Sequence, residues 1–442
     1  MDEAAREEVA QRVLALAGGE SEAIVYDSDV GLTRFTHNAI HQNLGERDTS
    51  IRLRTIVDGR TGVAATNDPS DAGLRAVVAR AQAIAAVAPH EPNVPLLSQS
   101  PRVIAPPGAF DPAVAAATPE RRAQIAADVF RVAGAGGVWA AGYVTTQRFG
   151  TTLVNTRGTR ASYDATTCGI NVKANGPDAS GYAEFYGRAF AGLDGAGVAA
   201  IAVDKARTGA APQAVDPGAW TVILEPPAFG ELASYVVDHF SAQAYDEGSS
   251  FLSEGLERRY AGERVTLEDD FAHPLHAGMP FDYEGVPTHR LTLLERGLAK
   301  AVVTDATWSK RLALPDTGHA EPAPSADGPQ ARHIVVASGA QSLTALIAGT
   351  ERGLLVSRFW YIRPVDRRRT IVTGMTRDGT FLIQDGKVDR GVRNMRFNQS
   401  ILEALAAAEF ADTQALTAGY SYSMVVPAVK IEGFRFTSVA DF

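Results

Sequence analysis

The chain has 442 residues, 45% hydrophobic and 21% charged, enough for two globular domains with cores of their own. A net charge of -9 argues against a nucleic-acid footprint, which needs clustered excess Lys and Arg. One cysteine, Cys168, excludes an intrachain disulfide and any Cys-pair zinc site and suits a reducing compartment, so a cytoplasmic location is expected. Residues 1–9 are acidic and lack the apolar core of a secretory signal. No apolar run approaches the roughly 18–20 residues of a membrane span, so no membrane association is expected.

Residues 4–17 place Ala5, Val9, Val13, Leu14 and Leu16 near helical spacing, and Gly18-Gly19 stops that helix. Runs at 23–26, 32–42, 50–57 and 61–66 read as strands. Asp58-Gly59 between the last two signals a hairpin, because its turn needs φ > 0. An alanine-rich helix is predicted over 71–88. The stretch 89–112, with seven prolines, reads as an extended surface linker. A further helix over 119–133 is followed by strands across 138–190, with turns at Thr156-Arg157-Gly158 and Asn175-Gly176-Pro177. This half is α+β, with helices on one face of a largely antiparallel sheet. The Ala/Pro/Gln-rich run 209–217 marks a boundary, so domains 1–212 and 213–442 are expected.

In the second half, Pro226-Pro227 pre-sets a helix over 227–240, with Phe229, Leu232, Ala233, Val236, Val237 and Phe240 as one apolar stripe. Phe281-Asp282-Tyr283-Glu284 alternates like a strand with one wet face before a turn at Gly285. Asp282 and Glu284 have the chemistry of an acid/base pair, but a structural turn before Gly285 is the role expected of them. A proline-rich, apolar-poor stretch at 315–330 interrupts the strands. Asp378-Gly379 and Asp385-Gly386 bracket a strand over 380–384 as two tight turns. Asn398 is placed to cap a helix over 399–410. Between 425 and 436 the apolar parity changes at Gly433, as a β-bulge would make it. These elements describe a mainly antiparallel, barrel-like β domain with outer helices.

Signals for chemistry are sparse. No Gly-x-Ser-x-Gly elbow, P-loop or dinucleotide glycine pattern occurs, and Cys168 lies in a strand-like run that suits a buried small hydrophobe. His37 and His41 read as one strand, where four residues span roughly 13 Å, too far for one ion. His273, His276, His289 and His319 read as surface or capping histidines. The helix over 227–240 offers Glu231, Asp238 and His239, but no His-Glu pair. Zinc needs at least three ligands at about 2.0–2.3 Å, so no metal is expected there and His239 reads as a solvated helix end. The aromatic and basic run Arg358-Phe359-Trp360-Tyr361-Ile362-Arg363, with Arg367-Arg368-Arg369 behind it, has the chemistry to offer, as a hairpin, stacking surface and cations to an acidic peptide or carrier protein. Its plainer reading is a strand with a solvated arginine turn.

The segments Phe281-Asp282-Tyr283-Glu284-Gly285-Val286-Pro287, Leu294-Glu295-Arg296-Gly297-Leu298, Gly353-Leu354-Leu355-Val356 and Asn394-Met395-Arg396-Phe397 resemble, in order and approximate spacing, the C-terminal domain of the TldD/TldE (PmbA) family. The first half resembles it more weakly, through 53–66. In that family a zinc-bearing subunit, with HExxxH on a helix and a late cysteine as third ligand, pairs with a non-catalytic one. Here the corresponding segment reads Gly230-Glu231-Leu232-Ala233-Ser234-Tyr235, and no cysteine follows Cys168. The resemblance therefore implies a TldE-like, non-catalytic subunit that binds no cofactor itself, with zinc in a TldD-like partner and an extended peptide added as a strand. It implies no catalytic residue in this chain and makes Asp282, Glu284, His319, Arg358, Trp360 and Arg363 the peptide- or partner-binding candidates. Two alternatives stand beside it. One is a self-sufficient metallopeptidase using His239 with His289 or His319. The other is a peptide- or protein-binding modulator without protease activity. A homodimer of the isolated chain is left open.

Overall fold

Asp2 caps the first helix through a hydrogen bond from the Ala5 N–H, and the helix α1 (Glu3–Ala17) feeds a set of long hairpins. A computed structural model describes residues 1–91, 94–101, 103, 105–276, 278–418 and 423–440. Strands β1 (Glu20–Thr36), β2 (Ala39–Val57) and β3 (Arg60–Thr66) are joined by two-residue turns at His37-Asn38 and Asp58-Gly59. All four turn residues have positive φ, between 49° and 70°, as turns matching strand twist require. His37 is thus a turn residue, not the strand residue expected, and its ring stacks on Trp139 at 4.1 Å. Helices α2 (Asp71–Val87), α3 (Pro112–Ala115) and α4 (Pro119–Ala135) precede β4 (Trp139–Asn155), β5 (Arg160–Asn175) and β6 (Ser180–Gly187); α5 (Gly195–Thr208) follows. The six strands form one antiparallel sheet in the order β3-β2-β1-β4-β5-β6. Alternation divides its faces. Ala23, Val25 and Phe35 of β1 pack with the helices, whereas Ile24 packs with Leu153, Tyr163 and Phe281 on the other side.

Strand β7 (Gly218–Leu224) opens the second half, followed by α6 (Pro226–Ser234), α7 (Ala242–Asp246), β8 (Leu267–Asp269), β9 (Leu291–Glu295), β10 (Leu298–Ala299), α8 (Ala306–Leu312), β11 (Ile334–Val336) and α9 (Leu343–Ala348). Then come β12 (Arg352–Asp366), β13 (Ile371–Gln384), β14 (Lys387–Gly391), β15 (Met395–Ser400), α10 (Ile401–Ala404), β16 (Glu409–Ala418) and β17 (Ser423–Val439). Strands β17-β15-β13-β12-β7 pair in that order, and β7 pairs back onto β17, so the sheet closes on itself. Closure removes the exposed edges that an open sheet would carry. The interior holds Phe359, Phe397 and Phe434, with ring centroids 4.6–5.9 Å apart. The chain is α+β and mostly antiparallel, as expected. Among the described residues no helix is long and apolar enough to cross a membrane.

Four local expectations need correction. Helix 227–240 stops at Ser234, where Tyr235 and Val236 donate to the carbonyls three residues back, and a 3-10 turn (Val237–Phe240) carries on. That tightening still buries the whole apolar stripe. Asn398 caps nothing: it sits in β15 opposite Thr373, Ser400 caps the short α10, and Glu409 already begins β16. Strand pairing to β13 overrides the local helical pattern. Asp378-Gly379 is not a turn but a bulge inside β13, where the register jumps from Arg358↔Arg377 to Val356↔Thr380. Finally, 281–284 forms no strand; a bridge between Phe281 and Pro287 closes a turn. Asp385-Gly386 does turn β13 into β14, and Gly433 does mark a bulge in β17.

Gly433 has φ 72° and nothing near the position a Cβ would take, so a side chain there meets only backbone strain. Gly433→Ala should lower the urea midpoint by an amount equivalent to about 1 kcal/mol, and Gly433→Asn by clearly less. Equal losses would remove the bulge argument.

Candidate functional site

Helix α6 turns Phe229, Leu232 and Ala233 into the core and leaves Glu231 on its opposite side. Gly230 lets the helix lie directly on β16, since a Cβ there would sit 2.3 Å from Thr417 Oγ1. Glu231 therefore faces a cavity of about 180 Å3 between α6, β12 and the edge of the first sheet. From β12 come Arg358 and Trp360; from β6 come Tyr182, Glu184 and Tyr186, which share one strand face at two-residue spacing. Tyr143 of β4 completes the wall, its hydroxyl 2.6 Å from that of Tyr186. The Tyr182 hydroxyl donates to Glu184. The Arg358 guanidinium lies 4.4 Å from the centre of the Tyr182 ring and 5.4 Å from that of Trp360, with Asp378 3.5 Å away.

Burial pushes Glu231 up to about 7; Arg358 opposes the shift and Glu184 adds to it. Glu184 is also pushed up to about 7 by burial, against the Tyr182 hydroxyl and Arg358. The Glu231 carboxylate accepts no hydrogen bond from any described residue, and Arg358 donates none. Among the described residues the cavity thus presents an acceptor without a hydrogen bond beside a guanidinium ion-paired with Asp378, between aromatic walls.

The remaining predicted residues lie elsewhere. Asp282 accepts from the Glu284 and Val286 N–H groups at 2.9 Å and from that of Ala320 at 2.8 Å, which fixes the turn before Gly285. Glu284 accepts from Arg54 at 2.7 Å and from the Ala306 N–H at 3.2 Å. His319, buried, has Nδ1 2.9 Å from Thr317 Oγ1 and Nε2 3.5 Å from Asp269. With Asp282 it borders a second cavity of about 300 Å3 beneath β1 and β4. Arg363 is exposed, stacked on Tyr361 at 4.4 Å and away from both cavities. So the structure gathers Glu231, Arg358 and Trp360, places Asp282 and His319 at another site, and leaves Arg363 outside.

A family model described as the PmbA/TldA metallopeptidase C-terminal domain matches residues 217–438, and one described as PmbA/TldA metallopeptidase domain 1 matches 21–85. The chain belongs to the PmbA/TldD family. TldE from Thermococcus kodakarensis is 20% identical, with TM-score 0.88 over 98% of this chain and 99% of that one. A protein from Thermotoga maritima described as a modulator of a DNA gyrase is 16% identical, with TM-score 0.86 over 98% and 100%. A third, from Bacteroides thetaiotaomicron and described as a modulator of DNA gyrase, is 17% identical, with TM-score 0.80 over 98% of each chain. At these identities the likeness is one of fold. No curated protein matches the sequence.

Zinc, which membership of the PmbA/TldD family brings into question, does not fit the α6 cavity. The donors there are the carboxyls of Glu184 and Glu231, with no imidazole or thiolate among the described lining, short of the three ligands a site requires. Nor is His239 the solvated helix end expected. It is 3% exposed, its Nδ1 accepts the Phe251 N–H at 3.3 Å, and burial, then Arg367, drives it down to about 4. Asp238 points to Arg367 at 3.7 Å. His276 is likewise buried, with Nε2 3.0 Å from the Ile334 carbonyl, while His289 is exposed. Among the described residues no group of three or more His, Cys, Asp or Glu could hold a metal ion. Sequence reasoning missed Tyr143, Tyr182, Glu184 and Tyr186, although the Tyr-x-Glu-x-Tyr alternation on β6 was a usable signal.

Glu231 rises from 4.5 to about 7 on folding, so its contribution is fully present below pH 4.5 and is lost as pH rises through 7. Glu231→Gln should therefore show a flatter thermal midpoint between pH 5 and 8 than the parent chain. Parallel pH profiles would mean that the carboxyl is not buried as described.

Proposed function

We propose that this chain is the non-catalytic, TldE-like subunit of a heterodimeric TldD/TldE-type zinc metallopeptidase in the cytoplasm, and that it lines the passage along which an extended peptide reaches the partner's metal. Residues 1–212 and 213–442 would serve as its two domains. The observation that carries the reading is the state of α6. This helix holds the position where, by family resemblance, a catalytic member presents two histidines and a glutamate, and it presents Glu231 alone.

Two further observations support the reading. The one nearby histidine, His239, is spent on the Phe251 N–H inside the core. The cavity in front of α6 is nevertheless kept open and lined with aromatic and hydrogen-bonding groups. Such a surface has the groups to hold a peptide, and its described lining offers neither a nucleophile–base pair nor the three ligands of a zinc site. Strand addition then needs little side-chain selectivity from this chain.

Elemental analysis decides the matter. The isolated chain, purified without chelators, should carry no stoichiometric zinc, and zinc should appear with the complex when the chain is co-expressed with a TldD-like partner. One zinc per isolated chain would sink the reading in favour of a self-sufficient peptidase.

A further inference from the structure

The α6 cavity has a charge pattern that the accessory role does not by itself require. Two carboxyl groups, Glu184 and Glu231, face one guanidinium, Arg358, whose own partner Asp378 is also paired with Lys173 at 2.8 Å. Counting both glutamates as ionised, the lining itself carries one more carboxylate than cation, with Lys205 behind it engaged by Glu225 at 2.7 Å and Arg377 held against Asp378 at 3.9 Å. A single monovalent cation completes it; a dication would overshoot and lack ligands.

Size and walls narrow the choice. At about 180 Å3 the cavity lies below the range of drug-sized ligand pockets, so it suits one chain end and not a folded segment. The walls include the rings of Tyr143, Tyr182, Tyr186 and Trp360, with Arg358 over Tyr182 at 4.4 Å and Arg377 over Trp360 at 4.7 Å, so the lining is already one that accommodates organic cations. Glu231 supplies an acceptor that takes no hydrogen bond from any described residue, and Arg358 beside it, ion-paired with Asp378 at 3.5 Å through one amino group, has further N–H groups to donate. A peptide amino terminus carries a matching pair: an ammonium with three donors and, three bonds away, a carbonyl oxygen.

We propose that this cavity binds the free amino terminus of a peptide, the α-ammonium on Glu231 and Glu184 and the first carbonyl on Arg358, with the following residues leaving over the exposed Trp360 and Tyr361. The inference rests on the accessory reading, since it presumes a peptide on this face. It also accounts for the carboxyls' retention of a proton near neutrality despite Arg358 and Lys205: the arriving ammonium takes the place of that proton, which is released.

Isothermal titration of the intact chain at pH 7 tests it, with tetra-alanine amide and its N-acetylated form as probes. The free peptide should bind at least tenfold more tightly, with net proton release seen as a buffer-dependent heat. Glu231→Gln, which keeps the shape, should weaken it at least tenfold with an unchanged unfolding midpoint at pH 7 or a raised one. Equal binding of the two peptides, binding of neither, or an indifferent Glu231→Gln overturns the proposal. N-acetyl-lysine amide binding as tightly as the free peptide would move the site from a terminus to a side chain and also overturn it. Zinc content separates the two readings. A chain that needs a partner for zinc yet treats both peptides alike loses only the pocket assignment. A chain that selects the free terminus but carries its own zinc loses only the accessory role.

Discussion

Arg54 is the joint on which the rest of the molecule depends. It rises from β2, in the first sheet, and meets Glu22 of β1 at 3.0 Å and Glu284 of the second half at 2.7 Å. Burial pushes Glu22 up to about 7, with Arg54 opposing the shift and the Glu284 carboxylate adding to it. A buried ion pair of this kind is weak evidence for net stability, but losing its cation would strand two buried acids, the situation in which costs reach about 3–5 kcal/mol. Glu284 can reach Arg54 only because Asp282 spends its carboxylate on three backbone N–H groups and holds the turn. Phe281, at the root of that turn, is then pressed among Ile24, Leu153 and Tyr163.

A second tie crosses between the halves at the bulge in β13. Asp378, with φ 53°, turns its carboxylate to Lys173 of β5 at 2.8 Å and accepts the Ser180 hydroxyl of β6 at 2.7 Å. The α6 cavity takes its wall from β4 and β6 on one side and from α6 and β12 on the other, so it exists only while the two halves are held in register. Its chemistry is therefore tertiary. Arg358 stacks on Tyr182, a residue 176 positions earlier (358 − 182), and Glu231 feels Glu184 through space.

That origin explains what the sequence could and could not tell. Turns were legible where Asp-Gly favours positive φ, as at Asp58-Gly59 and Asp385-Gly386, but not at His37-Asn38. The same dipeptide at 378–379 meets the same steric demand inside a strand, so Asp-Gly alone cannot separate a hairpin from a bulge. The parity change at Gly433 could be read because alternation on both sides recorded it. The helix expected over 399–410 failed because the ladder from β15 to β13 is nonlocal and took Asn398 and Ser400 for strand pairing. Glu231, Arg358 and Trp360 were each visible as chemistry, but nothing local says that they share a cavity. His239 was misread for the opposite reason: continuing the helix to 240 sets it off the apolar stripe, and the 3-10 turn Val237–Phe240 carries it inward.

The helix α6 shows why a ligand-bearing position and a structural one can part company. Phe229, Leu232 and Ala233 fill the barrel core, and Gly230 sets the distance to β16; none of these contacts involves the outward position of Glu231. At about 25 cal/mol per Å2 of apolar surface, the stability of the helix comes from the inward stripe. Outward residues can change from metal ligands to a lone carboxylate at little cost to the fold. The cavity wall they face then decides the chemistry, and here that wall brings a guanidinium and aromatic rings.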